Sequence, residues 1–324
     1  MTVMITGGAG YIGSHMVKQL LEAGRNVVVV DNLSRGNRSA LPEDIPFYKV
    51  DISEVDDVAE IMQSHLVSQV IHFAALAYVG ESVEKPLPYY ANNTAGTVCL
   101  LQAMQMANVQ QLVFSSTCAT YGTPENLPIV ETSPQSPINP YGWSKLFIEQ
   151  ILRDMIAVDE KFAAIGLRYF NVAGCSADGS LGEEHSPETH IIPLLLQVAL
   201  GERQQFMIFG DDYPTEDGTC VRDFIHVEDI CSAHLLALNK LKQGEINFYN
   251  LGIGRGYSLQ EVIDSVKRVT GCDIPTRIDS RRPGDPPVLY ASAQLAQREL
   301  GWTPRYTELD EIVETAWKWF SRND

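Results

Sequence analysis

Short, wholly apolar runs alternate along this chain with longer stretches in which apolar residues return every three or four positions. The first run, Val3-Met4-Ile5, leads straight into a glycine-rich turn. Ile12, Met16, Val17, Leu20 and Leu21 then mark one face of a helix, and Gly24 is a natural stop. Val27 to Val30 predicts a second strand, and a third ends at Val50. Val55 to Met62 has a helical pattern. Val70 to Ala75 predicts a buried strand that ends in small residues. Tyr89 to Met106 predicts one long helix with Asn92 and Asn93 near its start. Leu112 to Thr117 is a further strand. A proline-rich loop (124–140) leads to a helix carrying Tyr141, and Ile165 to Phe170 closes the series as a strand. Continuous apolar strands separated by amphipathic helices predict an α/β fold of the Rossmann type, a doubly wound parallel sheet. Ligands of such sheets lie beyond the carboxyl ends of the strands. That rule gathers Gly10, Asp31, Ala74, Thr117 and Phe170 around one cleft.

The pattern changes after Asn171. Residues 174–190 are rich in Gly, Ser, Glu and His and predict a loop. A helix from Ile191 to Leu200 is closed by Gly201, and Phe206 to Phe209 predicts a strand. Arg222 to Val227 predicts a return to the main sheet. Ser258 with Glu261 forms a capping box for a helix ending near Gly271. The expected organisation is a dinucleotide domain of residues 1–170, with about 222–250 returning to it. Residues 171–221 and 251–324 form a smaller, partly interleaved α/β substrate domain.

Composition narrows the partners. The chain has 324 residues and a net charge of −17 at pH 7, which argues against nucleic acid or an anionic membrane as general partner. No run is long and apolar enough to span a bilayer. The start, Met1-Thr2-Val3-Met4, lacks the basic and hydrophobic regions of a signal peptide. The six cysteines form no C-x-x-C pair, so a reducing cytoplasm is expected. The seven histidines show no H-x-x-x-H spacing and no Cys/His cluster, so no catalytic metal is expected.

Two motifs carry chemistry. Gly8, Gly10 and Gly13 fit G-x-G-x-x-G, and Gly7, Gly10 and Gly13 fit G-x-x-G-x-x-G. The acid at Asp31 follows the last glycine by 18 residues (31 minus 13), close to the usual spacing of a dinucleotide fold. The glycines let the backbone approach a pyrophosphate at a helix N-terminus. Asp31 can accept hydrogen bonds from ribose hydroxyls and repels a 2′-phosphate, which favours NAD over NADP. Arg35 and Arg38 stand near enough to oppose that preference. The second motif is Asn139-Pro140-Tyr141-Gly142-Trp143-Ser144-Lys145. Pro140 suits a first helical position. The i, i+4 spacing puts phenol and ammonium on one face, where the cation is expected to lower the tyrosine pKa and make it a base for a sugar or alcohol hydroxyl.

These motifs together resemble the extended short-chain dehydrogenase/reductase superfamily, and within it the nucleotide-sugar 4-epimerases of the UDP-glucose/UDP-galactose type. The resemblance rests also on Asp31-Asn32-Leu33, His72-Phe73-Ala74-Ala75, Ser115-Ser116-Thr117, Arg168-Tyr169-Phe170-Asn171, Val221 to Val227 and Arg281-Arg282-Pro283-Gly284-Asp285. It implies a catalytic set of Tyr141, Lys145 and Thr117. Tyr141 would act as base and acid at the sugar O4, Thr117 would help pass the proton, and Lys145 would bind the nicotinamide ribose. Gly7, Gly10, Tyr11, Ile12, Gly13, Asp31, Asn32, Asp51, Ile52, Phe73, Ala74, Ala75, Asn92, Tyr141, Lys145 and Phe170 would line NAD. Thr117, Tyr141, Asn171, His190, Ile191, Arg222, Arg282, Asp285 and Leu289 would meet the UDP-sugar. The implied reaction passes through a 4-keto sugar that turns over before it is reduced again. A homodimer built on two long helices, residues 89–106 and 141–158, is also implied.

The chain departs from the family in places. Ala77 stands where lysine is frequent, which removes one cofactor contact. Leu289 stands where a large aromatic narrows the sugar pocket in some members, so an N-acetylated sugar has room. Ser115 to Gly122 also resembles pentose (UDP-arabinose/UDP-xylose) epimerases. Dehydratases of this scaffold carry an Asp-Glu pair after the threonine, and Cys118 and Ala119 fill those places here. A reductase on the same scaffold would consume free cofactor. A non-catalytic NAD sensor would tend to lose the Tyr141, Lys145 and Thr117 set.

Overall fold

The computed structural model describes residues 1–282 and 285–323. Six parallel strands form in order along the first half: β1 (Thr2–Thr6), β2 (Asn26–Val30), β3 (Phe47–Tyr48), β4 (Val67–His72), β5 (Gln111–Ser115) and β6 (Ala163–Arg168). With the later strand Ile246–Asn250 they build a seven-stranded sheet in the spatial order Ile246–Asn250, β6, β5, β4, β1, β2, β3. Every pairing in it is parallel. The order reverses between β1 and β4, the switch point at which doubly wound sheets leave a crevice. Two apolar cores cover the sheet's faces, one around Val3, Ile5, Met16 and Ile165, the other around Met4, Val28, Phe114 and Leu152. That arrangement explains why the strands are apolar on both sides.

A third core lies away from the sheet, around Leu195, Ile208, Val262 and Val313. The Leu259–Thr270 helix packs there. Its N-terminus has the expected capping box, with Ser258 and Glu261 each bonding the other's backbone, and Gly271 ends it at φ 70°.

Several boundaries differ from expectation. Strands 3 to 6 of the main sheet stop two or three residues early, and Val50 and Phe73 to Ala75, beyond the third and fourth, line the cleft. The expected helix from Tyr89 starts instead at Pro86 and runs through a wide π-helical stretch, Tyr90–Ala95, before the regular helix Gly96–Met106. Asn93 within this stretch is buried and bonds the backbone of Leu76 on both sides, N–H at 2.8 Å and C=O at 2.9 Å. Such bulges commonly mark functional sites. Arg222 to Val227 does not rejoin the main sheet. Phe224–His226 pairs with Asn171–Ala173, and Val221–Arg222 pairs with Tyr257–Ser258 and Val288–Leu289. The return to the main sheet is made by Ile246–Asn250. Among the described residues no helix is long and apolar enough to cross a membrane.

Candidate active site

The first half of the site is a cleft at the switch point. Gly7, Gly10, Asp31, Asn32, Ile52, Phe73, Ala74, Ala75 and Asn92 line it, whereas Asp51, Tyr141, Lys145 and Phe170 are not among its lining residues. The glycines divide the work. Gly7 takes φ +73°, and a Cβ there would lie 2.5 Å from the Ala74 nitrogen. A Cβ on Gly13 would lie 2.1 Å from the Gly7 carbonyl oxygen. Gly10 is the N-cap of the Tyr11–Glu22 helix and offers no side chain to the helix end. The backbone N–H groups of the first turn therefore remain open to an anion. Gly8 faces away, toward Val29. The spacing that carries the turn is thus Gly7, Gly10, Gly13.

Asp31 sits at the end of β2, buried. Its two oxygens accept from the backbone N–H of Ala9 (3.0 Å) and of Leu33 (2.8 Å). Burial raises its pKa and these two bonds partly offset that. Asn32 donates to Asp51 at 2.7 Å, which ties the adjacent loop to the cleft edge. Arg35 forks onto both oxygens of Glu81 at 3.1 and 2.9 Å and covers the Tyr78 ring. Arg38 donates to the carbonyls of Leu41, Pro42 and Glu43. Arg35 lines the cleft with Asp31 while held by Glu81, and Arg38 is not among the lining residues. The cradle, the open helix end and the acid fit an NAD-type dinucleotide.

The second half is the Pro140–Val158 helix. Asn139 caps it by accepting from the Gly142 N–H at 2.8 Å, and Pro140 occupies its first turn. Tyr141 is half-buried at its start. The Thr117 hydroxyl lies close enough to its phenol to favour the phenolate. Thr117 also caps its own turn, accepting from the Ala119 N–H at 3.1 Å. Lys145 is buried one turn on, donates to the Ser115 carbonyl at 2.8 Å and lies 4.9 Å from the centre of the Phe114 ring. One expectation is corrected. Burial pushes the Tyr141 phenol up to about 12, only partly countered by the nearby Thr117 hydroxyl, and Lys145 does not lower it. Burial also brings Lys145 down to about 7, so its charge is itself weakened. Desolvation outweighs the one-turn proximity on which the expectation rested.

Glu149 was not singled out from the sequence. It lies four residues beyond Lys145, on the same helix face, and that spacing was the available signal. It is wholly buried. Arg168 donates to it twice, at 2.8 and 2.6 Å, Ser116 donates at 2.7 Å and Gln135 at 3.1 Å. Arg168 also donates to the Tyr121 hydroxyl at 2.6 Å. This network fixes the helix of Tyr141 against the ends of β5 and β6.

Residues expected on the substrate side lie on the smaller strands and loops. Arg222 is nearly buried and paired with Asp285. Arg282 lies 4.2 Å from the centre of the Phe209 ring. Pro283 and Gly284 of that motif lie outside the described residues. Asn171 begins the strand paired with Phe224–His226. Leu289 pairs in register with Arg222 and packs, with Phe170, against Cys118 and Tyr121 beside Thr117. Ile191 starts the Ile191–Ala199 helix, with His190 as its N-cap. The His190 ring is turned to Glu183. Tyr11 sends its hydroxyl to the Gly174 carbonyl at 2.5 Å. Ile12 packs on the core beneath the sheet.

The geometry agrees with what the chain resembles among known proteins. The family model "NAD dependent epimerase/dehydratase family" matches residues 3–252. A UDP-glucose 4-epimerase of Lacticaseibacillus casei is 50% identical over 321 residues, 98% of this chain and 96% of that protein. The crystal structure of a Brucella ovis UDP-glucose 4-epimerase in complex with NAD superposes with a TM-score of 0.95 at 47% identity, covering 98% of both chains. A Stenotrophomonas maltophila UDP-glucose 4-epimerase with bound NAD and formylated UDP-arabinopyranose gives a TM-score of 0.95 at 43% identity, covering 99% and 98%. The chain belongs to the NAD-dependent epimerase/dehydratase family.

Proposed function

We propose that this protein is an NAD-dependent 4-epimerase of UDP-hexoses that interconverts UDP-glucose and UDP-galactose. The observation that carries the reading is the Thr117 hydroxyl set against the Tyr141 phenol, on the helix of Lys145, in a chain that also builds the glycine-cradled cleft. The residues of the cleft named above hold the cofactor, with Asp31 on the adenosine ribose and the Gly10 helix end on the pyrophosphate. When bound, NAD supplies a hydride acceptor and donor for C4 and a positive charge that favours phenolate.

The chain's own residues do the rest. Tyr141 takes the proton from O4, and later returns it. Thr117 bridges phenol and sugar hydroxyl. Lys145 holds the nicotinamide ribose and fixes the phenol's height in the cleft. Arg222 and Arg282, with Asn171 nearby, take the diphosphate and nucleotide, because a guanidinium fork suits phosphate oxygens. Asp285 occupies Arg222 until the substrate arrives. Strong anchoring at the nucleotide and few rigid contacts at the sugar let the keto sugar turn over its phosphate link. Of these anchors, Asn171 and Arg282 belong to the smaller unit, residues 171–221 and 251–324, and Arg222 stands at its border.

A dehydratase needs an acid and base after Thr117. Cys118 is buried, and burial pushes its thiol far above the ordinary range, so it offers neither. The leucine at 289 leaves room for an N-acetylated sugar or a pentose. Exposed Trp143 and Phe147, with exposed Val98 and Met106 on the neighbouring helix, support a homodimer through these two helices. All six cysteines are free, which supports a cytoplasmic setting. Purified protein incubated with UDP-galactose and no added cofactor tests the function. NMR should show UDP-glucose forming to equilibrium. A requirement for stoichiometric reduced cofactor would point instead to a reductase.

A further inference from the structure

Between Cys175 and the Ile191–Ala199 helix the chain turns four metal-ligating side chains onto one point. Glu183, His185, Glu188 and His190 each present one donor atom, and these atoms all lie within 4.8 Å of one another. Glu183 is 3% exposed, and its Oε1 faces Nδ1 of both imidazoles, that of His185 at 3.2 Å. Glu188 Oε2 lies 3.7 Å from the same His185 nitrogen. That nitrogen is buried and makes no hydrogen bond of proper geometry. Four ligands at metal–ligand distances of about 2.0–2.2 Å around a tetrahedral ion stand roughly 3.3–3.6 Å apart. Two carboxylates with two neutral imidazoles carry two negative charges, which match a divalent cation.

We propose that Glu183, His185, Glu188 and His190 form a structural site for a divalent transition-metal cation of the zinc type. Mixed imidazole and carboxylate donors suit zinc rather than calcium or magnesium, which prefer oxygen alone. All four ligands come from residues 183–190, the number a structural zinc site usually uses. The expected absence of a catalytic metal is untouched.

The place of the cluster gives the ion a purpose. The His185 ring meets Tyr11 of the cofactor helix and Tyr78 edge-on, with centroids 6.2 and 6.0 Å away. Tyr78 donates to the Pro187 carbonyl at 3.2 Å, and Asn37 donates to Glu184 at 3.1 Å. His190 caps the helix that begins at Ile191. A cation here fastens the loop that links the cofactor helix to the start of that helix. The competing arrangement is a metal-free set of ion pairs between two imidazolium rings and two carboxylates.

The test uses tag-free, full-length protein prepared without chelator. Elemental analysis should find about one equivalent of divalent transition metal per chain. A zinc chelator should lower Tm and added Zn²⁺ should restore it. Cobalt put into the emptied site should give the visible absorption of a tetrahedral centre. His185→Gln and Glu188→Gln should each lose most of the metal. If both variants fold poorly, the chelator and cobalt measurements on the unaltered chain decide. Metal below about a tenth of an equivalent, with no cobalt spectrum and no response of Tm to Zn²⁺, overturns the site in favour of the ion pairs. Full metal content retained in folded His185→Gln overturns it as well, because the ion then sits elsewhere.

Discussion

Arg168 closes a two-pronged ion pair on Glu149, two helical turns below Tyr141. The nitrogen–oxygen distances are 2.8 and 2.6 Å, and both side chains are almost wholly buried. A buried pair is costly to form, and removing one partner leaves an uncompensated charge. Its value here is positional, since it locks the helix of the phenol to the strand that ends beside Thr117.

Glu149→Ala should therefore lower stability by about 3–5 kcal/mol, read from chemical denaturation. Paired replacement of Glu149 and Arg168 by Leu and Met should recover much of that loss. Activity should recover less than stability, because the helix is then held by packing alone. Full recovery of both would show that the pair has no positioning role.

Tyr141→Phe keeps the ring and its edge-on contact with Tyr89 but removes the phenol. Turnover of UDP-galactose should fall by roughly 10²–10⁴-fold with NAD still bound and Tm nearly unchanged. Thr117→Val should fall less, since it removes the bridge and leaves the base.

Lys145 gives a pH dependence of stability. Its folded pKa is brought from 10.5 down to about 7, chiefly by burial. Between these values the unfolded chain binds the proton and the folded chain does not, so stability rises with pH across that window. The slope approaches about 1.4 kcal/mol per pH unit. NAD-free protein should show this rise between pH 7 and 10 in denaturation curves, and Lys145→Met should lack it.

Gly13→Ala should fold poorly or lose NAD, because the new Cβ meets the Gly7 carbonyl at 2.1 Å. Gly80→Ala is the control, with no atom within 4 Å. Cofactor released from acid-denatured protein, read at 260 nm, should be absent in the first and normal in the second.

Leu289→Tyr should narrow the sugar side of the site beside Phe170 and Cys118. Progress curves should show kcat/KM for UDP-N-acetylgalactosamine falling about tenfold or more, with UDP-galactose much less affected. Equal losses for both sugars would assign Leu289 to packing alone.

The glycine turn, its helix, β2 and Asp31 were legible because each depends on local spacing and on strand-to-helix order. The sheet's doubly wound class followed from the same alternation. Strand ends were less clear, since Phe73 to Ala75 are as apolar as the strand they follow. The path of Arg222 to Val227 was misread because two short strands of the smaller sheets share the composition of a core strand. Glu149 and Arg168 are far apart in sequence, and only the helix face hinted at the former. The Tyr141 shift was misjudged because burial, which no spacing reveals, exceeds the effect of the neighbouring lysine. The Glu183, His185, Glu188 and His190 cluster has neither His-rich nor Cys-rich spacing, and only the fold of the 183–190 loop brings its donors together.

The most direct test follows the hydrogen at C4. UDP-galactose carrying deuterium at C4 is incubated with the protein in ordinary water, with no cofactor added. The account predicts UDP-glucose that keeps the deuterium at C4, and no conversion by Tyr141→Phe. Product with solvent hydrogen at C4, or unimpaired conversion by that variant, would contradict it.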